Sequence, residues 1–189
     1  MTDSRQPGRP RSENSRTAIL AAALELIGET GYAGLTIEGI SARAGVGKQT
    51  IYRWWPTKAD VLLEAASTKA ELHVPVDDHG SYRADLRAFL EASYRTASVA
   101  EYAAVLGALM AEAQISPEFG ERFRLAFLNR RREALATITD RADSRGDLPP
   151  TISSETVADI VFGTLWYRMI ATRERLDDTL VEEVLRLLT

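Results

Sequence analysis

Four side chains that can donate hydrogen bonds lie within six consecutive positions, at Lys48, Gln49, Tyr52 and Arg53. Lysine can donate to the O6 and N7 atoms of guanine, and glutamine can pair with adenine. Tyrosine can donate to a phosphate or pack against a thymine methyl group. The surrounding stretch, residues 35–65, contains no cysteine and no histidine. These residue types therefore indicate contact with DNA bases rather than catalysis.

Short helices are predicted to position these donors. A first helix carries an apolar stripe, formed by Ile19, Ala22, Ala23, Leu26 and Ile27, and ends at Gly31. Thr36 offers a hydroxyl as the N-cap of a second helix, which ends at the Ala44–Gly45 turn. A third helix begins at Gly47 and ends before Pro56, because the residue before a proline is disfavoured in the α region.

The third helix has an inner and an outer face. Ile51 and Trp55 are four residues apart and apolar, so they should face inward and leave the four donors exposed. Three short helices with a tight turn before the last one form a helix-turn-helix unit, whose last helix enters the DNA major groove. A fourth helix, residues 58–72, is predicted to follow with Thr57 as its cap.

The rest of the chain is predicted to be helical as well, beyond a polar linker from His73 to Ser81. Five amphipathic helices are expected near Tyr82–Ser98, Glu101–Ile115, Glu118–Ser144, Ser154–Arg173 and Asp177–Leu188. No alternation long enough for a strand is present. The fold class is therefore all-α with about nine helices.

The stretch "TIEGISARAGVGKQTIYRWWPTKADVL" resembles the DNA-binding region of the tetracycline-repressor (TetR) family. The matching elements are the Thr36 cap, the turn ending at Val46, the "TIY" core of the third helix and the "Lys-x-x-Val-Leu" start of the fourth. The resemblance covers about a quarter to a third of the chain. It implies a C-terminal helical domain that binds a ligand and dimerises.

Roles carried over from the family fall on individual positions of this sequence. Lys48, Gln49 and Tyr52 would lie near the bases, and phosphate contacts would come from Thr36, Thr50, Trp54 and Lys58. Gly47 replaces the serine or similar polar residue often found at that N-cap, and glycine is tolerated there. Trp54 stands where the family often has histidine or a smaller polar residue.

Three segments with different charge are expected. A flexible basic arm, residues 1–14, carries Arg9 and Arg11, which either enter the minor groove or are scattered charges of a tail. The DNA-binding head spans residues 15–60 and the helical body residues 61–189. The net charge of −4 is uneven, because residues 1–58 hold eight Lys/Arg against five Asp/Glu. A positive head on an acidic body is expected when only one end meets a polyanion.

Aromatic and methionine side chains of the body suggest a ligand pocket. They exceed what tight packing needs, and their tyrosine and tryptophan members bring polar tips into apolar surroundings. For any one of them, plain core packing is the alternative. The predicted lining is Tyr94, Tyr102, Met110, Phe123, Phe127, Phe162 and Trp166.

Dimerisation is expected through the last two helices, because one helix-turn-helix reads too few base pairs to select a genomic site. Their apolar content favours a four-helix interface between two copies. The predicted interface residues are Val161, Leu165, Leu180, Val184 and Leu187, with intramolecular core as the alternative.

Two polar clusters invite other interpretations. The linker places His73 and His79 beside Asp77 and Asp78, but a solvated loop is favoured over a metal site. The "NRRRE" run at 129–133 is interpreted as a solvated helix face rather than a second phosphate patch.

The sequence therefore predicts a transcriptional regulator, namely a repressor, that needs no cofactor. It would bind a palindromic operator in double-stranded DNA as a homodimer and be released by a small apolar or aromatic effector. With no cysteine and no apolar run of membrane-spanning length, the cytoplasm is the expected compartment and no membrane partner is expected. The alternatives are a dimeric regulator without an inducer, or a helical enzyme.

Overall fold

The computed structural model describes residues 9–73 and 76–189, except for the side chains of residues 9–12 and 70–73. These ranges contain no strand. The helices are α1 (Arg9–Gly34), α2 (Ile37–Ala44), α3 (Lys48–Tyr52), α4 (Lys58–His73), α5 (Tyr82–Ala97), α6 (Ala100–Ile115), α7 (Pro117–Phe123), α8 (Asn129–Arg145), α9 (Ser154–Trp166) and α10 (Asp178–Leu188). A π-helical turn, Arg124–Leu128, joins α7 to α8, and a second one, Tyr167–Thr172, extends α9. Because α7 continues through a π-helical turn into α8, the described ranges form nine continuous helices. This confirms the predicted all-α fold.

Local signals account for the ends of the head helices. Gly31 interrupts α1 with a φ of 67°, a conformation that glycine adopts without strain. The Thr36 hydroxyl accepts a hydrogen bond from the backbone N–H of Gly39 at 3.0 Å, which confirms its capping role. At the start of α4, the Asp60 backbone N–H donates to the Thr57 hydroxyl at 3.3 Å. The five predicted body helices all occur, with ends shifted by no more than one residue.

Two hydrophobic clusters form the core. The first contains residues of α1 to α4 together with α6, α7 and the turn that follows α7. The second is formed by α5, α8, α9 and α10. The boundary predicted after residue 60 lies inside α4, and the first cluster extends across it. The head therefore packs directly on one half of the body.

Polar contacts reinforce that junction. The Tyr32 hydroxyl of α1 donates to Glu112 of α6 at 2.8 Å. The Arg122 side chain of α7 pairs with Asp60 of α4 at 2.9 Å. No helix in the described ranges is long and apolar enough to cross a bilayer.

Candidate functional site

The third helix, α3, ends at Tyr52, before the predicted end next to Pro56, and Arg53 follows it as the C-cap residue. All four predicted donors are exposed. Ile51 and Trp55 are buried at 0% and 3% exposure, so the inner face is the predicted one. On the outer face Tyr52 is 53% exposed, and Lys48, Gln49 and Arg53 are exposed as well. The Gly47 N-cap makes no side-chain hydrogen bond, which leaves backbone N–H groups at the start of α3 open. The geometry suits a groove-reading helix.

Ion pairs reduce the free positive charge of the head. The Lys48 ammonium lies 2.9 Å from a carboxylate oxygen of Glu38, which raises the pKa of Lys48 and lowers the pKa of Glu38. Arg43 pairs with Glu25 at 3.1 Å and with Glu29 at 2.8 Å. The Lys48–Glu38 pair is exposed on both sides, so it is solvated and can be broken at little cost.

The residues predicted to contact phosphates differ in their exposure to solvent. Thr36 is exposed and Thr50 is partly buried. The half-buried Trp54 ring packs edge-on against Trp55 at 5.3 Å between centroids. The Arg53 guanidinium lies 5.3 Å from the Trp54 ring centroid, so a cation covers this ring.

Lys58 makes contacts within the protein that were not predicted from the sequence. Its ammonium donates to the backbone carbonyls of Tyr32 at 2.8 Å and of Leu35 at 2.9 Å, and lies 4.2 Å from the Tyr32 ring centroid. An ammonium has three donors, so only one remains for a phosphate. Lys58 is first of all a link between the start of α4 and the end of α1.

The arm falls mostly outside the described residues. Residues 1–8 and the side chains of Arg9 and Arg11 are not described, so their predicted minor-groove contact stays a prediction. The backbone of α1 begins at Arg9. Residues 9–14, which the sequence assigned to the arm, are therefore helical.

A cavity of about 330 Å³ lies in the body among α5, α6, α8 and α9. Five of the seven predicted ligand residues line it: Tyr102, Met110, Phe127, Phe162 and Trp166. Tyr94 does not line it and is buried in the second cluster. Phe123 stacks between Phe119 and Phe127 in the first cluster, at centroid distances of 6.3 and 5.6 Å. Core packing, the alternative kept open for each residue, describes Tyr94 and Phe123.

The polar lining was missed by the sequence analysis. Arg131 donates to the Ser93 hydroxyl at 2.8 Å, and its guanidinium carbon lies 5.0 Å from the centroid of the Phe89 ring. Burial lowers the pKa of Arg131 to about 10, so the group is still a cation at neutral pH. Arg132 and Asp159 also line the cavity and pair with each other at 2.7 Å. The "NRRRE" run is thus only in part a solvated face.

The helical spacing of the sequence indicates that Arg131 lies on the inner face of its helix. It stands four residues after Phe127 and four residues before Leu135, and both of these are buried. A position between two apolar neighbours at that spacing belongs to the inner face of a helix. The π-helical turn before α8 does not move Arg131 off that face.

The cavity wall contacts α4, the helix that follows the recognition unit. The Tyr102 hydroxyl donates to the Ala66 carbonyl at 3.2 Å, with little exposure to solvent. The Ser67 hydroxyl of α4 lies 3.4 Å from the carbonyl of Ala126, next to the lining residue Phe127. A change in the cavity can therefore reach α4 through direct contacts.

The predicted dimer residues require a correction. Val161, Leu165, Leu180 and Val184 are buried within the single chain, at 0 to 6% exposure, so intramolecular core is what they form. Leu187 alone among the five is exposed, at 67%. The π-helical turn that extends α9 exposes other apolar side chains, namely Tyr167 at 63% and Ile170 at 39%.

The linker groups have protein partners. Asp78 pairs with Arg145, and the backbone N–H of His79 donates to Asp85 at 2.6 Å. Among the described residues no group of three or more His, Cys, Asp or Glu side chains could hold a metal ion. The side chain of His73 lies outside the described ones.

A helix-turn-helix head on an all-helical body defines a DNA-binding transcriptional regulator. Residues 19–65 match the family model for bacterial regulatory proteins of the tetR family. Residues 76–188 match the model for the tetracyclin repressor-like C-terminal domain. The chain belongs to the TetR family, as its sequence resemblance indicated. Members of this family are regulators that bind DNA, dimerise and bind small molecules, and they are not enzymes.

Individual relatives agree with that assignment. An uncharacterized HTH-type transcriptional regulator of Bacillus subtilis strain 168, YdeS, is 30% identical over 177 residues, which cover 94% of this chain and 89% of YdeS. The crystal structure of the TetR family regulator SCO0332 has a TM-score of 0.77 at 28% identity and covers 91% of this chain and 94% of its own. The fold is also that of Bacillus subtilis FadR in complex with stearoyl-CoA, with a TM-score of 0.72 at 21% identity and coverages of 90% and 96%.

Proposed function

We propose that this regulator is a homodimeric repressor that leaves a palindromic operator when a small apolar or aromatic molecule enters the cavity of the body. The observation behind this proposal is the contact between the cavity wall and α4 at Tyr102 and Ala66. Because α4 directly follows the recognition unit, a ligand that displaces the wall changes where α3 is held. A cavity of about 330 Å³ with a mostly apolar lining suits a small ligand.

The test of ligand release is operator binding in the presence of small molecules. The operator is first selected from random double-stranded DNA by the full-length protein. Binding to a fluorescent copy is then measured with and without a panel of small apolar and aromatic compounds. An effector is expected to weaken operator binding by a coupling of about 1–3 kcal/mol, or roughly 5- to 150-fold. If no compound weakens binding, the result favours the alternative of a dimeric regulator without an inducer.

The exposed face of α3 supports sequence-specific DNA reading. We expect Gln49→Ala to lower operator affinity by about 1–3 kcal/mol and to relax the preference at one base pair, because glutamine reads adenine through two hydrogen bonds. Competition binding against a set of operators with single substitutions measures both effects. Affinity should also fall steeply with salt concentration, since phosphate contacts release counterions.

Gln114 provides a matched control for this prediction. It is exposed on α6 of the body, so Gln114→Ala removes the same side chain away from the head. This control should leave affinity and base preference unchanged. Equal losses of Gln49→Ala on operator and on random DNA would remove Gln49 from the base-reading set.

The exposed apolar side chains of the last two helices support a homodimer. Tyr167, Ile170 and Leu187 together leave apolar surface uncovered in one chain. Most oligomers are closed twofold dimers, and two copies are needed to read two half-sites. The proposed dimer interface therefore contains these exposed residues and not the four buried residues of α9 and α10.

Charge substitution tests this interface. We expect Tyr167→Glu with Leu187→Glu to move the protein from dimer to monomer at micromolar concentration in sedimentation velocity, because carboxylates would be buried without partners. Leu125→Glu is the matched control, since Leu125 is 57% exposed on the turn before α8. A double variant that remains dimeric would place the interface elsewhere.

A further inference from the structure

The cavity of the body contains a cation that no described residue neutralises. Arg131 lines the cavity, is partly buried and forms no ion pair with any described residue. Its one hydrogen bond within the described residues runs to the neutral hydroxyl of Ser93. A buried charge without a partner is costly, so such a group usually has a partner in the functional state.

The neighbouring polar groups do not supply that partner. Asp159, the one carboxylate among the described lining residues, has a side chain that is 70% exposed and is held by Arg132 at 2.7 Å. Burial raises the pKa of Tyr102 to about 12, so its phenol is neutral at physiological pH. The faces of Phe89 and Phe162 lie 5.0 and 5.8 Å from the Arg131 guanidinium and stabilise the cation only in part.

We propose that the effector is an amphipathic anion, whose apolar or aromatic body fills the cavity and whose oxyanion pairs with Arg131. This inference rests on the proposed role of the cavity as the effector site. A guanidinium has five donors, and its hydrogen bond to Ser93 leaves a fork free to bind a carboxylate or sulfonate through two bonds. Stacking on Phe89 and Phe162 holds that fork in place before the ligand arrives.

Two fluorescent probes that differ in their charge test the proposal. 1-Anilinonaphthalene-8-sulfonate carries a sulfonate on the same ring system as the neutral N-phenyl-1-naphthylamine. The dissociation constants of both are measured by fluorescence titration with the full-length protein. The proteins compared are wild type, Arg131→Leu, Arg131→Lys and the control Arg95→Leu. Arg95 is exposed on the neighbouring helix α5, so its loss removes one charge without touching the lining.

The wild type is expected to prefer the sulfonate. Arg131→Leu should weaken the sulfonate roughly 10- to 150-fold, as a lost charged hydrogen bond does, and leave the neutral probe unchanged. Arg131→Lys should restore part of the preference, and Arg95→Leu should behave as wild type. Denaturation midpoints no lower than that of wild type, together with retained operator binding, show that the variants are folded.

Three outcomes would overturn the inference, and they can be distinguished. Equal affinity of wild type for both probes, with no effect of Arg131→Leu, leaves a ligand cavity but removes its charge selectivity. Equal weakening of both probes in Arg131→Leu makes Arg131 a packing residue. Failure of both probes to bind wild type removes the cavity as an effector site and the proposed function with it.

Discussion

Trp55→Ala is expected to lower the free energy of unfolding by about 3–5 kcal/mol and to abolish operator binding at 37 °C. Trp55 is 3% exposed, so its removal leaves a large cavity in the first cluster. Its indole N–H donates to Glu64 of α4 at 2.9 Å, and the second oxygen of Glu64 accepts a bond from Arg16 of α1 at 2.6 Å. One side chain thus links the end of the recognition unit to two supporting helices.

The adjacent tryptophan provides the control. Trp54 is only partly buried and packs on the edge of Trp55, so Trp54→Ala should reduce stability far less. Its main effect should be a loss of operator affinity, if the indole contacts a phosphate. Urea denaturation followed by circular dichroism measures the stability of both variants, and anisotropy with fluorescent operator measures binding. Equal loss of stability in the two variants would contradict the assigned burial.

The fold could be predicted from local signals because these have short-range physical causes. The break at Gly31 needs a positive φ, and the cap at Thr36 needs only a hydroxyl beside the first turn of a helix. Neither depends on a distant contact. The recognition face was predictable for the same reason, since inward Ile51 and Trp55 determine which side chains are left outside.

Roles that depend on distant contacts were harder to predict. An apolar stripe such as that of Val161 and Leu165 looks the same whether it packs on its own chain or on a copy, and here it packs on its own chain. Lys58 was assigned to DNA, yet the carbonyls that it caps lie 26 and 23 residues earlier in the sequence. In the arginine run of α8, helical spacing indicates an inner position for Arg131, but only the packing of the helix shows that this position lines a cavity.

The coupling between cavity and DNA has a geometric requirement. Two recognition helices of a dimer enter successive major grooves when they are about 34–36 Å apart. The α4 helix has 16 residues and spans roughly 24 Å, so a small tilt at the cavity becomes a displacement of several ångströms at the head. A ligand shifts this equilibrium only if it binds the DNA-incompetent state more tightly. By reciprocity, operator DNA must weaken ligand binding by the same factor.

Filling the cavity should remove the response while keeping DNA binding. A Cβ atom added at Gly163, which lines the cavity, would meet no atom within 4 Å, so the first atom of a larger side chain fits there and the ring of Gly163→Trp is placed to fill the cavity. We expect effector concentrations that weaken wild-type operator binding roughly 5- to 150-fold to leave this variant bound.

Operator anisotropy with increasing effector measures the response, and sedimentation velocity checks that the dimer is intact. Ala104→Trp is the control, because Ala104 is exposed on α6 and does not line the cavity, and it should respond as wild type does. If Gly163→Trp still leaves the operator at the wild-type effector concentration, the effector acts at another site. If it binds effector normally but no longer leaves the operator, the effector binds outside the space that the ring fills, and the added ring blocks the movement of α4 instead. The proposed coupling is supported only if Gly163→Trp loses both effector binding and effector-induced release from the operator.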